Sequence, residues 1–430
     1  MASLDLPKLR PLGGHILPYQ GQTYIQFDDA LGLADPALLV PLELFYWVIR
    51  RFDGQTPLST IQADVLREVG HRFTDAELEE VVRQLDEAMI LDGPTFAAFV
   101  TSYRRQPTRP AAFAGRSYAG TAQALRTQLA RLFVHADGAG MPRVENGHAD
   151  GNGLAPAGRL RGILSPHIDF HRGGPVYTWS YRALVERSDA DTFVILGVAH
   201  QPCRHRFALT RKDFETPLGL VRTDRGYVDR IAAEVGDHLF DDELIHRTEH
   251  SIEFQVVFLQ YLLGNRRPFS IVPILVGSFH DLMELGIDPI LDAEVRRFIE
   301  ALRAAESESS RKVAYIGGID LAHVGPEFGD PDRLSPAILE EVRRFDTALL
   351  DRAVAADPAG WFETAAAVEN RWRVCGLAAT YTMLHAMGPA RGRLLRYDQA
   401  VNPERTCGVS FASIAFQALE APDVASVLAP

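Results

Sequence analysis

The residues best placed to do chemistry are two histidines, each closing an apolar run. Gly162-Ile163-Leu164-Ser165-Pro166-His167 is the first, and Thr192-Phe193-Val194-Ile195-Leu196-Gly197-Val198-Ala199-His200 is the second. Short uncharged runs of this kind predict buried strands of a parallel sheet. The carboxyl ends of such strands face the crevice where open α/β sheets bind ligands. Two imidazoles delivered there make half of a metal site.

Three further groups join them. Cys375, in Arg371-Trp372-Arg373-Val374-Cys375-Gly376, starts a helix running on through Leu377, Ala378 and Ala379. At a helix start, backbone N–H groups and the dipole favour the thiolate, so a lowered thiol pKa is expected. Ile319-Asp320-Leu321-Ala322-His323 follows another apolar run, and Thr248-Glu249-His250-Ser251-Ile252-Glu253 opens a helix with two carboxylates and a His. Each has a plainer reading. A His after a strand is commonly a hydrogen-bonded structural group, Glu249 and Glu253 suit a first helical turn, and a lone Cys packs as a small apolar side chain. The plain readings do not predict that imidazoles and an Asp from three strand ends meet on one rim. Cys203, close after His200, is a competing sulfur ligand, although so near a neighbour tends to point away from the same ion. His171 lies on a loop whose direction the sequence leaves open, and Cys407 reads as structural. No Walker or GxGxxG loop supports a nucleotide cofactor.

The elements that position these residues fall into two domains. In 1–105, residues 15–27 alternate around Gly21-Gln22 as a hairpin does. Helical spacing runs over 41–52 until Asp53-Gly54 ends it. A short helix opens at Ser59-Thr60-Ile61 and runs to about Glu68. Thr74 and Glu77 form a capping box for a helix reaching Met89, and Ile90-Leu91-Asp92-Gly93 turns into a last strand or wing. Arg104-Arg105-Gln106-Pro107-Thr108-Arg109-Pro110 reads as the linker. Beyond it, 108–420 reads as a three-layer α/β/α domain with a mainly parallel sheet. A helix covers 121–133, residues 137–157 read as a mobile surface loop, and strands end near Ser165, Ala199, Val276, Gly318, Asp398 and Phe416.

Composition narrows the class. With 430 residues, 47% hydrophobic and 23% charged, the chain is ordinary for a soluble globular protein with a large core. A formal net charge of -12 argues against nucleic acid as a partner. The start lacks a signal-peptide pattern, no window is apolar enough for a membrane span, and three cysteines are too few for a disulfide framework. A reducing cytoplasm is the expected location.

The ordered motifs Pro166-His167, Gly197-Val198-Ala199-His200, Glu249-His250-Ser251-Ile252-Glu253, Asp320-Leu321-Ala322-His323 and Val374-Cys375-Gly376 resemble the Memo family, as does Ala112-Phe113-Ala114-Gly115-Arg116-Ser117-Tyr118. The resemblance spans 110–420. It implies the fold of class III extradiol dioxygenases and a metal held by His167, His200 and Cys375. Iron is the ion it implies first, with copper or zinc as competitors, and His250, Asp320 and His323 line the pocket in catalytic roles. The chain departs from the family at Ile168-Asp169-Phe170, where Ala-Gly-Tyr is usual, and at Val198-Ala199, where Pro-Ser is usual. Those changes alter the pocket's hydrogen bonds, so they bear on substrate. The N-terminal segments Phe52-Asp53-Gly54-Gln55-Thr56-Pro57-Leu58 and Leu85-Asp86-Glu87-Ala88-Met89-Ile90-Leu91 resemble the PqqD-like winged-helix domain. That resemblance implies leader-peptide binding and a radical-SAM-type partner. A plain packing or dimerisation domain is the alternative, and DNA binding is disfavoured by the acidic third helix.

Three functions are therefore expected: a non-haem iron or copper oxidoreductase acting on a small molecule or a presented peptide, a non-catalytic partner-binding or metal-binding module, and a zinc hydrolase.

Overall fold

The computed structural model describes residues 5–143 and 160–419, so most of the loop expected over 137–157 lies outside the described residues. The chain divides into two compact units, Met1–Gln106 and Pro107–Pro430.

In the first unit, strands Gly13–Tyr19, Gln22–Asp28 and Leu39–Pro41 form an antiparallel sheet in that order. Gln20 and Gly21 make the hairpin turn with φ of 49° and 80°, the left-handed pair that matches strand twist. The helical stretch breaks in two, Leu42–Trp47 and a 3-10 turn Ile49–Arg51, where the buried β-branched pair Val48-Ile49 follows tertiary packing instead of helical propensity. Helix Leu58–Val69 follows. The Thr74–Glu77 capping box is present, and helix Asp75–Glu87 stops two residues short of Met89, which takes φ 54°.

Two expectations fail here. The residues after Gly93 form a helix, Pro94–Arg105, and not a wing strand. Proline at a first helical position is pre-organised for the start, and Thr95 Oγ1 donates to Asp86 at 2.6 Å to hold it. Leu91 makes only an isolated bridge to Leu9. The basic linker also shrinks, because Arg104 and Arg105 end that helix while Arg109 sits fully buried on strand Thr108–Arg109 of the second unit.

The second unit is built on one mixed sheet. Its middle is parallel, in the order Leu160–Ser165, Val313–Gly318, Thr192–Val198, Ser270–Val276, Gly219–Thr223. Toward its ends antiparallel pairs appear: strands Ala390–Val401 and Gly408–Ala418 form a hairpin beside Leu160–Ser165, and Asp213–Thr216 pairs antiparallel with Gly219–Thr223 and parallel with the outermost strand Thr108–Arg109. Helices cover both faces. A Cβ added at Gly197 or Gly318 would strike Ser251 of helix His250–Leu263, whereas one added at Gly162 would strike Met383 of helix Leu377–Ala386, and Gly317 faces the same Met383 at 3.1 Å. Neighbouring residues Gly317 and Gly318 of strand Val313–Gly318 thus face opposite helices.

Helix His250–Leu263 is apolar nearly all round, with Ile252, Phe254, Val257 and Phe258 buried, and so lies inside the molecule. Phe258 stacks on Tyr177 and Tyr181 of helix Phe170–Arg187 with centroids 4.9 Å away in each case. Each such pair adds ~0.5–1.5 kcal/mol beyond its buried area. The two helices that flank the histidine-bearing loops are thereby locked together. Among the described residues, no helix is long and apolar enough to cross a membrane.

Candidate metal centre

His167 follows strand Leu160–Ser165, His200 lies two residues beyond strand Thr192–Val198, and His250 is the first residue of its helix. The last two are brought side by side by Ser251. Its Oγ donates to the Val198 carbonyl at 3.1 Å and accepts from the Val198 N–H at 3.0 Å, which Gly197 permits by having no side chain in the way. The ring centroids of His167–His200, His167–His250 and His200–His250 are 5.0, 5.0 and 4.8 Å apart. One donor atom from each lies within 4.8 Å of the others.

The Nδ1 atom of every ring is already engaged. His167 Nδ1 is 2.9 Å from the Gly318 carbonyl, His200 Nδ1 is 3.0 Å from Glu249 Oε2, and His250 Nδ1 is 3.2 Å from Glu249 Oε1. A carbonyl or carboxylate partner calls for a proton on Nδ1 and leaves Nε2 for a cation. Glu249 braces two rings at once and caps its helix by accepting from Ser251 N at 2.9 Å.

The thiol of Cys375 stands 3.4 Å from His167 Nε2 and 3.6 Å from the Asp320 carbonyl. Its loop is held by Asn370, whose Oδ1 accepts from Val374 N at 2.9 Å. Gly376 is needed next to it, since a Cβ there would come within 2.7 Å of the Asp320 carbonyl. The expected lowering of the thiol pKa is not found. Burial pushes the Cys375 thiol up and outweighs the opposing bond from His200, while the helix proper begins only at Leu377. Desolvation here exceeds the dipole, so a bound cation would be required to hold the thiolate.

The same contest sets the charges of the cluster. Burial drives His167 well below its ordinary value, helped by charge on His200 and His250, and burial lowers His250 too. On His200 burial also opposes the proton, but the adjoining Glu249 carboxylate prevails and the pKa rises well above normal. Glu249, though desolvated, is held far below the usual carboxylate range by His200 and His250. Glu249 thus favours a positive charge on the neighbouring imidazole, while burial disfavours one on His167 and His250.

The remaining expected residues spread out from there. Burial raises Asp320 to about 7, against backbone bonds from His167 and Ile168, and its Oδ2 is 3.6 Å from His167 Nε2. His323 lies on edge strand His323–Val324 with Nδ1 3.1 Å from the Leu321 carbonyl, and burial lowers it to about 4. His171 belongs to helix Phe170–Arg187 and lines a separate open groove with Gln128 and Arg131. Cys203 donates to the Gln201 carbonyl at 3.3 Å, and burial pushes its thiol up to about 12. Cys407 is buried with Arg172 donating to its sulfur at 3.5 Å.

Sequence reading missed two parts of the centre. A cavity of about 290 Å³ opens between His200 and Cys375 and is also lined by Ser278, His280, Asn370 and Arg373. Nothing in the spacing of those residues announced it. The other part is Arg109, whose guanidinium pairs with Glu253 and also reaches the carbonyls of His246 and Glu249 at 2.8 Å each. Tyr118 Oη donates to the same Glu253, so the segment entering the domain is bolted to the helix that carries His250.

The donor set fits a first-row transition ion: braced imidazoles, a thiol beside them, and a cavity that leaves room for a ligand from outside the protein. The fold and this site define an α/β protein whose three convergent histidines, His167 buried, His250 half-buried and His200 at the surface side, could hold a metal ion. Residues 109–415 match the family model described as Memo-like protein, and the chain belongs to that family. It is 27% identical over 395 residues to a MEMO1 family protein of Aquifex aeolicus, covering 90% of this chain and 94% of that one. Against a MEMO1 family protein of Methanopyrus kandleri it is 30% identical over 319 residues, covering 72% and 99% respectively. A Thermus thermophilus member is 28% identical over 347 residues, 80% of this chain and 94% of its own. The Aquifex match is longer than the second unit, so it runs into the first.

Proposed function

We propose that the protein is a Memo-type metal-dependent oxidoreductase, with iron as the resident ion and copper its competitor. The observation that supports this is the set of three imidazoles, each braced at Nδ1, of which His200 lines a cavity together with the Cys375 thiol. His167, His200 and His250 have donor atoms close enough to share an ion, and Cys375, 3.4 Å from His167 Nε2, is the competing third ligand. Iron held there would supply redox chemistry toward dioxygen. Asn370 and Arg373 offer donors at the cavity wall that orient an oxygen-bearing substrate such as a phenol. Asp320 Oδ2, beside His167, and His323 Nε2 are the atoms that hold and pass protons.

A three-imidazole set is also a common catalytic zinc set, which favours a hydrolase as the second reading. The presented-peptide reading draws on the first unit, where edge strand Gly13–Tyr19 is mostly exposed, including Ile16 and Tyr19, and pairs on one side only among the described residues. An extended peptide adds to such an edge.

The test is elemental analysis of anaerobically purified chain beside His167→Ala, His250→Ala and Cys375→Ala. Near-stoichiometric iron or copper that His167→Ala removes is the expected result. Whichever of His250→Ala and Cys375→Ala weakens retention more names the third ligand. Zinc lost in the same variants transfers the reading to hydrolysis, and no metal after anaerobic reconstitution ends both.

A further inference from the structure

A second group of metal-type donors stands on other elements. His205 lies in the loop after His200, His238 in the 3-10 turn Asp237–Phe240, and Glu294 in the first turn of helix Ala293–Ser307. One donor atom from each falls within 4.8 Å of the others, and all three residues are half-buried. The two imidazole centroids are 4.7 Å apart with the rings tilted by 56°.

We infer that this cluster is a structural site for a zinc-type divalent cation. Two imidazoles and a carboxylate are a zinc donor set, and Asp241 Oδ2, 3.4 Å from His205 Nε2, adds negative charge beside it. The surroundings hold these groups in place. Glu294 Oε1 accepts from Arg206 N at 2.8 Å, which fixes the direction of its carboxylate. Asp242 Oδ2 accepts from Arg204 N at 2.7 Å and His205 N at 3.2 Å, which fixes the loop. Gly236, at φ 130°, lets the His238 ring fold back, since a Cβ there would lie 2.7 Å from His238 Nδ1. The nearby positive charge of Arg206 is taken up by Asp281 at 2.7 Å and Asp292 at 3.5 Å. A simple ion pair between His205 and Asp241 accounts for neither His238 nor Glu294 in the same shell.

The site has a structural consequence. The loop 201–206 starts at His200, and an ion at its far end ties it to the turn and to the helix. That clamp stiffens the backbone leaving His200 without sharing a ligand with the first centre.

Zinc per chain is measured by plasma mass spectrometry after dialysis against micromolar zinc. The chains compared are the unsubstituted protein, His167→Ala/His250→Ala and His205→Ala/His238→Ala, with thermal unfolding recorded with and without zinc. The site predicts that His167→Ala/His250→Ala retains one equivalent and that His205→Ala/His238→Ala holds one fewer than the unsubstituted chain. Glu294→Gln, which keeps the acceptor for Arg206 N, is expected to weaken retention at least tenfold and to reduce the zinc-induced rise in melting temperature. If the unsubstituted chain binds a single zinc that only His205→Ala/His238→Ala removes, this site stands and the first centre's zinc reading falls. Equal zinc in the unsubstituted chain, His205→Ala/His238→Ala and Glu294→Gln overturns the inference.

Discussion

A guanidinium taken wholly out of water needs a counter-charge. Arg109 and Glu253 are both fully buried, and the carboxylate also accepts from Ala112 N at 3.1 Å, Phe113 N at 3.0 Å and Tyr118 Oη. Glu253→Gln keeps the shape and removes the charge, so Arg109 is left unpaired in a low dielectric. Breaking a buried pair from one side costs ~3–5 kcal/mol. Urea unfolding of the large unit is expected to show that loss, and Arg109→Met/Glu253→Leu to recover much of it. A Glu253→Gln chain within 1 kcal/mol of the unsubstituted protein, by the ~1.4 kcal/mol per tenfold scale, would sink the argument. The loss is transmitted to the candidate metal centre, because Arg109 also holds the carbonyl of Glu249, the residue that braces His200 and His250.

At the scale of elements, the centre depends on how closely strands approach helix His250–Leu263. A Cβ at Gly318 would lie 2.5 Å from the Ser251 carbonyl, so Gly318→Ala must push helix and strand apart. Overpacking of this kind costs ~1–3 kcal/mol. The Gly318 carbonyl is also the partner of His167 Nδ1, so metal retention should fall along with stability, as when such bracing partners are lost. Unchanged metal content in Gly318→Ala would mean that strand spacing does not position His167. These approaches were not legible in the sequence, whereas the strands were, because runs such as 192–198 carry their own period. The same limit explains the centre. His167 and His200 were readable as strand-end residues, but the placing of His250 beside them depends on Ser251 bonding to Val198, which no local pattern encodes. Cys375 was found by position, yet its thiol pKa was misjudged because burial is a tertiary property. Arg109 looked like linker for the same reason: a basic, Pro-flanked stretch gives no hint that a carboxylate 144 residues away will bury it.

At the scale of the molecule, the last hairpin is joined to helix Pro336–Val354 by one buried acid. Asp346 is fully buried, accepts from Tyr397 Oη at 2.8 Å, and is raised to about 6 by burial against weaker help from Ser410 and Tyr397. A carboxyl whose folded pKa exceeds its unfolded value of about 3.9 binds its proton more tightly in the native state. The native state therefore holds more protons than the unfolded chain between those two values, and stability from this group falls as pH rises from about 4 to 6. The loss levels off above the folded value and amounts to about 2–3 kcal/mol, at ~1.4 kcal/mol per unit. Other carboxylates run the opposite way, so the group is isolated by difference. Asp346→Asn keeps an acceptor for Tyr397 and cannot ionise. Its stability relative to the unsubstituted chain should climb by about 2–3 kcal/mol between pH 4 and 7 and stay level beyond, at the same ~1.4 kcal/mol per unit. Urea midpoints of the large unit at half-unit pH intervals measure that difference. A difference independent of pH would show that the folded pKa of Asp346 equals its unfolded value, the burial penalty being offset by Tyr397 and Ser410.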